Sequence, residues 1–341
     1  MKRRAVGFGL VALVIGTAAL AQEPAAPARA SIVIKFSHVT ARNTPKGEAA
    51  EYFKKLAEER TGGRVKVEVY PNSILYKDGE EMEMLQLGAV QMLAPSLAKF
   101  GPLGVREFEV FDLPFLFDGY ADLHKVTEGP VGQALLKKLE AKGITGLAFW
   151  DNGFKVMSAN RPLRTPADFK GLKMRIQSSK VLDQEMRDLG AIPQVTALSE
   201  AYQALQTGVV DGTENPPSNL YTQRMHEVQK FVAVSNHGYL GYAVIVNRKF
   251  WDGLPADLRA TLEGAMRDAT VFVNQIAKKD NDDALEAVRK AGKAQVYALS
   301  AEERLLWKKA LLAVHREQAA RIGIETLSAI YKATGFDPGK L

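Results

Sequence analysis

Apolar and polar positions fall into two rhythms along this chain. Ile32-Val33-Ile34-Lys35-Phe36 is a compact apolar run of strand length. Thr44-Pro45 then supplies an N-cap and a proline suited to a first helical turn. Ala49, Tyr52, Phe53, Leu56 and Ala57 recur at helical spacing until Gly62-Gly63 stops them. Val65, Val67 and Val69 alternate with charged residues, the period of a half-buried strand, and Pro71-Asn72 ends it. An acidic helix over 80–87 and a strand over 90–94 complete a β-α-β-α-β series, which predicts a largely parallel sheet covered by helices.

The series resumes after the middle of the chain. Strands are expected over 146–150, 155–158, 172–177, 231–235 and 243–247, with helices over 180–189 and 199–206. From Pro255 to about Ala291 one helical face carries Leu258, Leu262, Ala265, Ala269 and Phe272. That stretch exceeds an average helix and is long enough to bridge two lobes. A last amphipathic helix is expected from 301 towards 332. The predicted fold is α/β, a two-lobed clamp with a long lobe-bridging helix. Residues 31–152 with 241–281 would form one lobe, and 153–240 with 282–341 the other. Ligands of open α/β sheets bind at the carboxyl ends of strands, so the cleft between lobes is the expected site.

The N-terminus breaks this pattern and assigns a compartment. Lys2, Arg3 and Arg4 precede an apolar run from Ala5 to Leu20, which ends in Ala19-Leu20-Ala21. A charged start, an apolar middle and a small-residue exit describe a secretory signal peptide over 1–21, followed by a Pro/Ala linker over 22–30. A retained anchor would need about 20 strongly apolar residues. Export to the periplasm is therefore expected, as a soluble protein not inserted in the membrane.

Composition narrows the chemistry further. The formal net charge of +6 includes the three basic residues of the leader, and no dense basic tract interleaved with aromatics is present, so no nucleic-acid partner is expected. The mild positive excess suits steering of small anions. With no cysteine, thiol catalysis, iron–sulfur clusters and cysteine-ligated zinc are excluded, and the five histidines lack a helical zinc spacing. No nucleophile elbow, phosphate loop or dinucleotide motif occurs, so neither a catalytic residue, a metal site nor a cofactor is expected. Glu80-Glu81 and the cluster Asp280, Asp282 and Asp283 read as solvated helical faces.

Two segments hold more. In Lys173-Met174-Arg175-Ile176-Gln177, alternation sets Arg175 on the face of Lys173 and Gln177, opposite Met174 and Ile176. A guanidinium near a buried sheet needs a partner, and a ligand carboxylate can accept two parallel hydrogen bonds from it. An edge-strand arginine or an internal salt bridge is the alternative. In the segment from Ala204 to Pro217 a helix stops at Gly208, a short strand follows, and Asn215 offers donors and acceptors at its carboxyl end. By spacing alone, a structural loop explains that segment equally well.

Both segments also carry a resemblance. Phe36-Ser37-His38, Thr44-Pro45-Lys46-Gly47, Phe111-Asp112-Leu113-Pro114-Phe115, Trp150-Asp151-Asn152-Gly153, Gly171 to Arg175, Ala204 to Gly208 and Asp211 to Pro216 occur in order. In that ordered series the chain resembles the periplasmic solute-binding subunits of TRAP transporters, in the dicarboxylate-binding DctP branch. The resemblance implies that Arg175 holds a substrate carboxylate in a two-point salt bridge and that Asn215 contacts the same ligand. Lys155 falls where many members carry a second arginine, and Leu198 where many carry an aromatic residue. Lys46, Ser96 and Tyr239 are weaker wall candidates. The implied ligand is a small carboxylate, a four-carbon dicarboxylate before a keto, aromatic or sugar acid. The implied partners are the small and large TRAP membrane subunits. A secreted enzyme acting on small acids is the rival from another class, and a sensory role uses the same clamp.

Overall fold

The computed structural model describes residues 31–340. The expected signal peptide and linker, residues 1–30, lie outside the described residues. The first part of the fold runs β1 (Ile32–Ser37), α1 (Pro45–Arg60), β2 (Val65–Tyr70), α2 (Glu81–Gln86), β3 (Met92–Leu93), α3 (Tyr120–Thr127), α4 (Pro130–Lys138) and β4 (Ile144–Phe154). The middle part is β5 (Val156–Ala159), β6 (Lys173–Ile176), α5 (Lys180–Asp188), β7 (Ile192–Val195), α6 (Leu198–Gln206), β8 (Gly212–Asn215), α7 (Pro217–Thr222) and β9 (Phe231–Val234). The chain ends with β10 (Tyr239–Asn247), α8 (Arg248–Asp252), α9 (Ala256–Ala291), β11 (Gln295–Ala298), α10 (Ala301–Leu311), α11 (Ala313–Ile322) and α12 (Ile324–Thr334).

Two sheets organise these elements. One has the order β2-β1-β3-β10-β4, the other β11-β9-β5-β8-β6-β7. Neither is wholly parallel. β1 runs parallel to β2 and β3, whereas β10 is antiparallel to both β3 and β4. In the second sheet β6 is parallel to β7 and β8, and β5 is antiparallel to β8 and β9. The antiparallel strands are those by which the chain passes between sheets. β4 continues into β5 through Lys155, whose N–H donates to the Gly238 carbonyl at 2.9 Å, just before β10 begins.

Local chemistry explains why the early elements form where the pattern placed them. Thr44 accepts the Gly47 N–H at 3.2 Å and caps α1. Gly47 is required there, because a Cβ would stand 2.3 Å from the Arg42 carbonyl oxygen. α1 then packs on the first sheet through Ala49, Phe53, Leu56 and Ala57, in one core cluster with Ile34, Phe36, Trp150 and Val244.

The expected bridging helix is α9, 36 residues and about 54 Å long. Leu258 to Val273 belong to the core of the first sheet, while Val288 enters a cluster with Val156, Leu205 and Val232 of the second. Between these regions Asn281 joins three elements. Its amide donates to the carbonyls of Asn152 in β4 and Ala277 in α9, both at 2.9 Å, and its oxygen accepts the Ser218 N–H of α7 at 3.0 Å.

Three sequence expectations are corrected. The single helix over 301–332 is three helices, broken at Leu312 and at Gly323, where φ is +104°. Its last two members leave the second sheet. Val314, Ile322, Leu327 and Ile330 are buried with Leu123 and Leu135 of α3 and α4, so residues 282–341 are divided between the two sheets. Glu81 is not on a solvated face: it is 1% exposed and paired with Lys99 at 2.6 Å. Asp282 and Asp283 do lie on an exposed face, paired with Lys278 and Lys279.

Asn281→Leu would leave the Ser218 N–H and the Asn152 carbonyl without their partner. The expected cost is about 2–3 kcal/mol, read as a lower urea midpoint at unchanged slope.

Candidate functional site

Where the two sheets face each other, side chains from both halves line a cavity. From the elements around the second sheet come Arg175, Gln177, Leu198, Asn215 and Asn219. From those around the first come Lys46, Asp78, Ser96, Lys99 and Tyr242. Arg175, Asn215, Lys46 and Ser96 are thus brought together from residues far apart in sequence.

Strand alternation sorts these side chains. On β8, Asn215 lines the cavity while its neighbour Glu214 points into the opposite layer, where it meets Lys155 at 2.6 Å. On β10, Leu240 and Tyr242 line the cavity, while Tyr239 faces away and donates to Asp151 at 2.7 Å. Lys155 and Tyr239 are therefore placed outside this cavity. The Lys155 ammonium is fully buried among Glu214, Asp112 and His237 behind the strand, where it is already committed. Lys46, by contrast, is no surface lysine; it is 1% exposed at the start of α1.

Arg175 is 2% exposed. Its Nε donates to the Thr196 carbonyl at 2.9 Å, which fixes the plane of the guanidinium, while Nη1 is buried with no partner. Burial lowers its pKa, yet arginine starts so high that it stays charged. Lys46 donates to the Ala94 carbonyl at 3.0 Å and lies 3.8 Å from the centre of the Tyr242 ring. Burial, with Lys99 nearby, pushes its ammonium down to about 7. Among the described residues neither Arg175 nor Lys46 has a carboxylate within ion-pair distance. Lys99 differs, being flanked by both Asp78 and Glu81.

The remaining wall is a chain of amides and hydroxyls. Asn152 donates to Tyr242 Oη at 2.7 Å and to Asn219 at 3.2 Å, and Asn219 in turn donates to Asn215 at 3.4 Å. Ser96 donates to Gln177 Oε1 across the cavity. Asn152, Asn219 and Tyr242 were not singled out from the sequence. Asn152 lies in a quoted motif, but the packing that joins it to Asn219 is not encoded in local spacing. Asp78 and Lys99 were missed because surface-like charges in loops give no signal of burial.

A polar, cation-lined cavity between two sheet-centred halves is built to hold a small anion. Residues 36–322 match the family model described as bacterial extracellular solute-binding protein, family 7. The chain belongs to this family. Within family 7 it is 65% identical, over 326 residues, to the C4-dicarboxylate-binding periplasmic protein DctP of Rhodobacter capsulatus, spanning 95% of this chain and 98% of that one. A TRAP periplasmic solute-binding protein from Shewanella oneidensis, solved with bound succinate, superposes with a TM-score of 0.87 at 40% identity, covering 89% of this chain and all of the other. One from Pseudomonas aeruginosa, solved with L-malate, does so with 0.82 at 45% identity, covering 84% and 99%. These family 7 structures agree with the two-lobed α/β fold read from the sequence.

The buried cluster behind β8 makes folding sensitive to pH. Burial pushes the Asp112 carboxyl up to about 7 against the pull of Lys155, and drives Glu185 well above the ordinary carboxylate range. In the unfolded chain an aspartate ionises near about 3.9. Between about pH 4 and 7 the unfolded chain therefore loses a proton that Asp112 keeps in the folded chain, and the contribution of Asp112 to stability falls as pH rises across that window. Asp112→Asn, neutral throughout, is expected to make the change in urea-unfolding free energy from about pH 5 to pH 7.5 more favourable to the folded state than in the wild type. A slope equal to that of the wild type would assign the titration to another group.

Proposed function

We propose that this chain is the periplasmic solute-binding subunit of a TRAP transporter for C4-dicarboxylates, with Arg175 and Lys46 each receiving one carboxylate. The observation that carries this reading is the count of uncompensated cations. Three buried cations line the cavity; Asp78 and Glu81 flank Lys99, which leaves Arg175 and Lys46 with carbonyls and a ring face only. Two such cations match the two charges of succinate, malate or fumarate. The DctP relative and the succinate- and malate-bound structures support the same ligand class.

The residues suggest a sequence of events. Arg175, pre-oriented by the Thr196 carbonyl, offers its terminal nitrogens to one carboxylate, and Asn215 adds an amide from the neighbouring strand end. The second carboxylate restores acceptors to the Lys46 ammonium, which its surroundings otherwise tend to neutralise. Ser96, Gln177 and Asn219 provide hydroxyl and amide groups that suit a substrate hydroxyl such as that of malate. Bringing the halves together over the ligand excludes water and strengthens both ion pairs. The loaded form then docks on the small and large membrane subunits, after residues 1–21 have been removed on export. The protein captures and releases its ligand unchanged, and incubation with succinate followed by mass spectrometry tests that directly. Any product formed in proportion to protein would replace this reading with a catalytic one.

The binding test is a thermal shift and calorimetric titration of the mature protein with succinate, malate and fumarate, set beside acetate, pyruvate and galactonate. A ligand that binds only the folded state adds about 2.7 kcal/mol of apparent stability at one hundred times its Kd. Dicarboxylates are expected to shift the melting temperature clearly. Arg175→Ala is expected to lose about 2–5 kcal/mol of binding free energy. Lys46→Met is expected to lose dicarboxylate affinity while narrowing the gap to monocarboxylates. Shifts confined to monocarboxylates or sugar acids would overturn the ligand assignment, and near-normal affinity in Arg175→Ala would remove that residue from the site.

A further inference from the structure

We propose that Asp78 is a positioning residue, a latch that ties the two sheet-centred halves together and holds the segment that aims Arg175. The inference rests on the solute-capture reading and gives that site a means of staying closed. Asp78 lies between β2 and α2, in the half built on the first sheet. Its Oδ2 accepts the Leu198 N–H, 120 residues away, at 2.6 Å. Leu198 opens α6, in the half built on the second sheet.

Helix α6 has no cap of its own. Its N-cap residue is Ala197, whose side chain cannot accept a hydrogen bond, so the first turn depends on an acceptor from elsewhere. Asp78 supplies one from the opposite half, with its charge set at the positive end of the helix. Burial alone would raise the Asp78 carboxyl, but Lys99 and the Leu198 N–H override it and hold it near 2, so it is ionised. Next to it, Lys77 pairs with Glu200 in the same first turn at 3.0 Å, an exposed contact of small weight.

The latch reaches the ligand site through two residues of backbone. Thr196, Ala197 and Leu198 are consecutive, and the Thr196 carbonyl is the acceptor that orients Arg175 Nε. Fixing the Leu198 N–H therefore fixes the carbonyl that fixes the guanidinium. When the halves part, Leu198 loses its acceptor and this restraint is released.

The sign of the effect separates this role from its obvious rival. A carboxylate in the wall of an anion site repels the anion, so on field alone its removal tightens binding. A latch predicts the reverse. Succinate binding is measured by titration calorimetry and by stopped-flow dissociation in wild type, Asp78→Ala, Leu198→Pro and the double variant. Proline is tolerated at the first position of a helix, where it deletes the N–H and leaves the charge of Asp78 in place. Each single variant is expected to raise Kd by about tenfold or more, through faster dissociation and not slower association. The double variant is expected to be no weaker than the weaker single one. Asp78→Ala that binds as tightly as wild type or more tightly, or single effects that simply add, would overturn the latch. A wild type that binds no acid overturns the functional reading and the latch with it.

Discussion

Two cations withdrawn from water with no carboxylate at ion-pair distance among the described residues set the terms for everything around the cavity. An arginine and a lysine buried in this way are costly to fold, and proteins tolerate such groups when pairing or hydrogen bonding offsets the cost. Here the offset is incomplete. Arg175 is given one carbonyl, and Lys46 one carbonyl and an aromatic face. In the proposed function, a doubly charged ligand makes good that shortfall. Placing the third cation, Lys99, against Asp78 and Glu81 keeps the cavity from becoming so positive that the fold could not hold it.

The second layer of charge follows the same logic with the opposite outcome. One strand, β8, carries Asn215 towards the cavity and Glu214 away from it, so adjacent residues serve two separate polar systems. Behind the strand, Lys155 is outnumbered by Glu214, Asp112 and Glu185, and burial answers the imbalance by raising the proton affinity of Asp112 and Glu185. The front system is short of anions and the back system has a surplus. A sheet one strand thick keeps them apart.

Much of this was legible in the sequence, and what was not has identifiable causes. Period-two and helical patterns marked β1, α1, β2, α5, α6 and α9, because those elements bury one face against a continuous core. Alternation correctly set Arg175 beside Gln177 and against Met174 and Ile176. For Tyr239 alternation offered no guide: the neighbours Leu240 and Tyr242 carry the cavity face, and a strand buried on both sides gives no amphipathic signal. Lys155 shows a different limit: a lysine destined for a ligand and one destined for a buried glutamate look alike until the strand pairing of β5 with β8 is known. The short strands β7 and β11 and the asparagine chain from Asn152 to Asn215 depend on contacts between distant segments, to which local periodicity is blind.

The chain's repeated crossings between its two sheets have a consequence for descent. It passes from one to the other after β4, back before β10, out along α9, and back again after α10. Neither half is a continuous stretch of gene, so one recombination event cannot exchange a half for that of a cousin with different tastes. New preferences in such a lineage have to arise residue by residue at the cavity wall, while the two halves are inherited as a single unit.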